Sequence, residues 1–312
     1  MSTSASSGVP DSAALGPVGA NPSRQGRTHR DDGAIGPVGK VFTYALLVFL
    51  TIVFLGPIVF IGMNSFKTKF SIATDPFSLP VKNMWVGLQN YATGLQLSGF
   101  YNAIIWSFFI TVCSVVVIVF FCAMTAYYIT RVKTWWTSAL YYMFVFSMVV
   151  PFQMVMFPTV KIADTLGLDT PWGIIVLYLG FGAGLSIFMY SGFIKSIPLE
   201  VEEAAMIDGC NPLQIYYRVV MPMLKPTAIT VSILNTMWIW NDYLLPYLVI
   251  GLSRPEYRTI PVVVQFLVGS NGNRDIGALM AMLVLAIIPI IIFYVAAQKY
   301  IIEGVAAGAV KG

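Results

Sequence analysis

Long runs without a charged side chain constrain this sequence more than any other feature. Residues 41–66, 134–160, 170–194 and 276–298 contain no Asp, Glu, Lys or Arg. Crossing ~30 Å of hydrocarbon at ~1.5 Å per residue takes about 20 apolar residues in a helix, and each run is long enough. Residues 83–130 are also uncharged, and their second part, 103–129, reads as a further span. The stretch 226–251 is interrupted only by Asp242. Six transmembrane helices are therefore expected. Only 10% of the 312 residues are charged, against about 25% in a soluble globular protein. So few charges cannot cover a water-facing surface, and mean hydropathy is accordingly high at +0.78.

The remaining chain is short and polar. Residues 1–38 are rich in Ser, Gly, Pro and Ala and contain a repeated Gly-Pro-Val-Gly, at 16–19 and 36–39. Such a segment cannot bury enough apolar surface to offset its ordering entropy, so a disordered tail is expected, followed by one transmembrane domain over 39–312. The first apolar run is too long for the h-region of a signal peptide. With the N-terminus inside, eleven Lys and Arg fall on the cytoplasmic side and seven outside, which favours both termini in the cytoplasm.

Several chemistries are disfavoured at once. His29, the single histidine, lies in the tail, which argues against a His-based metal site or proton relay. Cys113 and Cys122 lie inside a span and Cys210 in a polar loop, so no disulfide framework is expected. The net charge of +4 comes without a basic run, so nucleic acid is not an expected partner. No catalytic residue, metal or cofactor is expected.

The loop 195–226 is the most informative polar stretch. It reads as two short helices separated by a break. Pro198 stands near the start of the first, and Glu200, Glu202 and Glu203 occupy its opening turns, where carboxylates favour the positive helix end. Gly209 supplies a left-handed residue to end it. Asn211-Pro212 with Gln214 forms a near capping box for the second helix, and Pro222 is expected to stop that helix. Ala204 and Ala205 keep one side small enough to enter a partner's cleft. From the residues alone, a self-capped surface connector accounts for the loop as well as a docking element does.

The order Glu203-Ala204-Ala205, Asp208-Gly209 and Arg218-Val219-Val220-Met221-Pro222 resembles the EAA motif of ABC-importer permease subunits. Val219 and Met221 stand where Ile and Leu are usual, with apolar character kept. Further stretches extend the resemblance along the chain from residue 40: Pro151-Phe152-Gln153, Ser186-Ile187-Phe188-Met189, Trp238-Ile239-Trp240-Asn241-Asp242-Tyr243 and Gln298-Lys299-Tyr300. Together they are similar to the carbohydrate-uptake subfamily, and within it to the second, six-span maltose-type permease subunit. Ala309 replaces a usual Gly near the end. The resemblance implies a cell-membrane permease with no enzymatic activity of its own. It also implies three partners: a second permease subunit, a cytoplasmic ATPase dimer and an extracytoplasmic solute-binding protein. By the same resemblance, Glu203, Ala204, Ala205, Asp208, Gly209, Val219 and Pro222 would dock the ATPase. An ATP-independent secondary transporter or channel is the alternative, although only Asp242 is available for proton coupling within the spans.

For the solute, Asn235, Trp238 and Asp242 are spaced i, i+3, i+7 and share one helix face. An ionisable group at membrane depth usually faces a cavity or a partner, and aromatic rings with amide and carboxylate groups suit a sugar. The competing reading places them at the outer interface, with Trp in an aromatic belt. Gly180 and Gly184 form a small-xxx-small pair suited to close helix packing.

Overall fold

The computed structural model describes residues 36–268 and 275–309. The tail expected over 1–38 lies almost wholly outside the described residues. Apart from a single bridge between Lys67 and Trp85, the described residues are helical or irregular. That is the expected result in hydrocarbon, where a helix satisfies its own backbone polar groups.

The helices run in order: α1 (Pro37–Asn64), α2 (Lys69–Thr74), α3 (Gln89–Ser98), α4 (Phe100–Arg131), α5 (Trp135–Ser147), α6 (Phe152–Thr165) and α7 (Pro171–Ile194). The polar loop follows as α8 (Leu199–Ile207), α9 (Pro212–Ile215), a π-helical turn Tyr216–Val220 and α10 (Met221–Met223). The chain then forms α11 (Lys225–Asn241), α12 (Leu244–Pro246), a second π-helical turn Tyr247–Gly251 and a 3₁₀ turn Pro255–Tyr257. It ends with α13 (Ile260–Val268) and α14 (Ile276–Ala309).

Among the described residues, four helices are long and apolar enough to cross a membrane unbroken: α1, α4, α7 and α14. The other two expected spans are not continuous helices. Residues 134–160 break between Ser147 and Phe152, and α5 and α6 meet at 108°. Pro151 causes the break: it bars the helical conformation of the residue before it and has no N–H to continue the ladder. Residues 226–251 break at Asp242, whose backbone is extended (ψ 125°).

α4 and α7 form the most extensive helix pair, with α5 and α11 packed beside them. Their core holds Ile110, Ile118, Ile174, Tyr178, Ile187 and Tyr190, all 0–1% exposed. Lipid tails are as apolar as these side chains, so close packing, rather than escape from water, holds the pair together. Glycine permits close approach of α7 to both α4 and α5. A Cβ on Gly182 would come within 2.7 Å of Ile118 Cδ1, and one on Gly184 within 2.8 Å of the Phe144 carbonyl. Gly180, the other half of the expected pair, would meet nothing within 4 Å. The close contact is therefore made by Gly182 and Gly184. A smaller cluster, with Phe100, Ile260, Val263, Ala281 and Met282, joins α13 and α14 to the start of α4.

Candidate functional site

The polar loop forms as its capping residues dictate. Pro198 precedes α8 in an extended conformation, and Gly209 sits at φ 83°, the left-handed region that favours glycine. Asn211 and Gln214 complete a reciprocal capping box: Gln214 N donates to Asn211 Oδ1 and Asn211 N to Gln214 Oε1, each at 2.9 Å. Pro222 does not stop the second helix. The π-helical turn Tyr216–Val220 carries the chain into α10 with Pro222 in its first turn, and helix resumes at α11 after Leu224. A proline lacks one donor and crowds the carbonyl four residues earlier; the wider turn before it relieves both.

α8 has two chemically distinct sides. Glu203, Ala204, Met206, Ile207 and Asp208 are exposed, with Ile207 at 87%. Ala205 is turned inward instead and packs in the protein's own core, so Ala204 alone keeps the outer side small. Val219 is half-buried against the same core, and Pro222 is exposed. The result is an acidic and apolar outer strip on a helix whose other side is anchored.

Glu202 provides that anchor, a role the sequence did not reveal. Its side chain is 7% exposed and meets Arg131, the last residue of α4, whose side chain is 15% exposed. Arg131 Nη2 and Nε lie 2.6 and 2.7 Å from Glu202 Oε1, and Tyr127 Oη donates to Oε2 at 2.8 Å. Arg131 Nη2 also donates to the Ile197 carbonyl at 3.0 Å. Removing one member of a buried pair leaves an uncompensated charge, a loss of about 3–5 kcal/mol. The second half of the loop packs on the same helix end, with the Tyr216 ring 5.2 Å from that of Tyr127. Burial raises the Tyr216 phenol to about 12, with Tyr217 adding to the shift, so it stays neutral at physiological pH.

Asn235, Trp238 and Asp242 do share a face of α11, and that face is turned towards α7. Asn235 is 3% exposed and donates through Nδ2 to Ser186 Oγ at 3.2 Å and to the Val231 carbonyl at 2.8 Å. Trp238, 42% exposed, packs edge-on against Tyr178 at 5.5 Å. Asp242 accepts from Tyr178 Oη through Oδ2 and from Leu244 N through Oδ1, both at 3.0 Å. Asn235 therefore contacts a helix, not open space. One open volume beside α11 lies on another side. It is a groove of about 560 Å³ between α4, α11 and α14, bordered by Thr111, Thr236, Trp240, Asn241 and Phe293.

Arg254 Nε lies 3.0 Å from Asp169 Oδ2, joining the α6–α7 turn to the segment after the second π-helical turn. The hydrogen bond to Asp169 raises the Arg254 pKa further. The three cysteines are free thiols.

Comparison with known proteins places this architecture. A family model described as "Binding-protein-dependent transport system inner membrane component" matches residues 120–306. The probable starch degradation products transport system permease protein AmyC of Thermoanaerobacterium thermosulfurigenes is 40% identical, over 88% of this chain and 98% of the relative. The multiple sugar-binding transport system permease protein MsmG of Streptococcus mutans is 35% identical over the same shares. Among solved structures, a bacterial ABC transporter involved in import of the acidic polysaccharide alginate superposes with a TM-score of 0.73 at 25% identity. That match covers 84% of this chain and 96% of the other.

Proposed function

This chain belongs to the family of binding-protein-dependent transport system inner membrane components, and we propose that it forms one half of a path for di- or oligosaccharides driven by ATPase subunits in the cytoplasm. It is the membrane-spanning permease subunit of an ABC importer. In this reading the other half of the path is a second permease subunit, and an extracytoplasmic binding protein delivers the solute. Both termini lie in the cytoplasm, and the broken segments α5–α6 and α11–α12 complete a set of six spans. The exposed strip Glu203–Ala204–Ile207–Asp208, mounted on an anchored helix, carries the docking assignment. An 87% exposed isoleucine beside two carboxylates fits a cleft with an apolar floor and a basic rim.

The mechanism follows from differential binding. ATP bound by the partner shifts the permease between inward- and outward-open states only as far as the docked loops fit those states differently. No bond is made or broken on this chain. Trp238 is the exposed member of the α7-facing strip and borders the solute path, with Asn235 and Asp242 fixing α11 against α7. The names of the relatives, starch degradation products and multiple sugars, support neutral oligosaccharides as the solute class.

Reconstitution of the subunit with its second permease, ATPase and binding protein in vesicles tests this. ATP-dependent uptake of labelled maltodextrins or other oligosaccharides is expected. Uptake driven by an ion gradient without ATP would overturn the reading in favour of a secondary transporter.

A further inference from the structure

Chain connectivity offers a docked coupling loop two routes into the bundle, back through α7 and forward through α11. The geometry points to a third. Glu202 leaves the first turn of α8 and ends on the last turn of α4, where both carboxylate oxygens are occupied: Oε1 by Arg131 and Oε2 by Tyr127. Arg131 simultaneously holds the Ile197 carbonyl, on the chain entering α8. Tyr216, from beyond the loop's midpoint, is buried and packs on Tyr127. Contacts from before, within and after α8 thus converge on residues 127–131 of α4. α4 in turn packs on α7, α11 and α5.

We propose that Arg131 and Glu202, with Tyr127, are positioning residues that make the coupling loop and α4 move as one body, so that α4 receives the motion of the docked ATPase directly. This rests on the docking assignment proposed above. Two features suit it to transmission. A guanidinium that grips a carboxylate through two nitrogens and a carbonyl through one of them resists rotation as well as separation. The pair also has little access to water, so salt screens it weakly. Glu203, one residue away, is exposed and takes no part.

The test uses the full importer complex in proteoliposomes, with ATP hydrolysis and solute uptake measured on the same preparation. Arg131→Gln is expected to leave ATPase subunits bound while raising the ATP hydrolysed per solute transported at least about fivefold, the lower end of ordinary coupling between sites. Arg131→Lys, which keeps the charge but not the fork, should recover part of the ratio. The double variant Arg131→Gln/Glu202→Gln should be no worse than the single one, because both act on one contact. If Arg131→Gln assembles poorly, Tyr127→Phe removes one hydrogen bond, keeps the ion pair and should give an intermediate ratio. A wild-type ratio in Arg131→Gln overturns the proposal, or, where that variant is not recovered, in Tyr127→Phe. A wild-type complex lacking ATP-driven uptake would instead sink the importer reading, whatever the variants do.

Discussion

Tyr178, in the middle of α7, donates its phenolic hydrogen to Asp242, the residue at which α11 ends, at 3.0 Å. One oxygen of that carboxylate thus serves a neighbouring helix while the other caps the broken backbone at Leu244. The acid in this stretch is consequently a helix terminator with a fixed partner.

Replacing Tyr178 with Phe should lower stability by about 1–3 kcal/mol, because one partly buried carboxylate oxygen loses its donor. Asp242→Asn keeps an acceptor for one of the two bonds and should be milder. Thermal unfolding in detergent ranks the two. Transport affinity and rate unchanged in both Asn235→Ala and Asp242→Asn would remove this face from the solute path.

Gly184 and Gly180 should respond oppositely to alanine. The new methyl at Gly184 would lie 2.6 Å from Ser147 Oγ and 2.8 Å from a backbone oxygen that cannot swing aside. A loss of about 1–3 kcal/mol is expected from such overpacking. At Gly180 the methyl meets nothing within 4 Å, and the better helix propensity of alanine should leave stability unchanged or raised by up to about 1 kcal/mol. Unfolding midpoints of the purified variants check both.

Ile207→Glu and Glu203→Lys alter only exposed side chains, so both variants should insert and fold normally. Recovery of the ATPase with the tagged permease should fall sharply in each. Normal ATPase recovery together with normal transport in both would remove the docking role from α8.

Gly209 at φ 83° should tolerate Asn and reject Val. A β-branched residue in the left-handed region costs on the order of 1–2 kcal/mol, whereas Asn visits it readily. Gly209→Val should distort the turn between α8 and α9 and lower ATPase recovery, while Gly209→Asn stays near wild type.

Cys210 reports orientation. It is half-buried in the polar loop, while Cys113 and Cys122 lie within α4. With the isolated subunit, a membrane-impermeant maleimide should label it in inside-out vesicles and leave it unlabelled in right-side-out ones. The reverse pattern would invert the proposed topology.

Membrane residence, helical class and the caps of the polar loop were readable from the chain alone. Each is either a bulk property or a contact spanning three or four residues: uncharged runs define apolar length, Asn211 reaches Gln214, and Gly209 answers to its own φ. Even Pro222, misread as a stop, follows a local rule whose outcome depends on whether the preceding turn can widen. Tertiary structure alone decided which face of each helix does what. Glu202 and Glu203 are adjacent and chemically identical, yet one is buried against Arg131 and the other is exposed, and Ala204 and Ala205 divide in the same way. Arg131 showed in the sequence only as a positive charge at the end of a span. Its partner lies 71 residues later along the chain. Such a pairing is set by how α4, α7 and the loop pack together, a long-range arrangement that leaves no periodic trace in the local sequence.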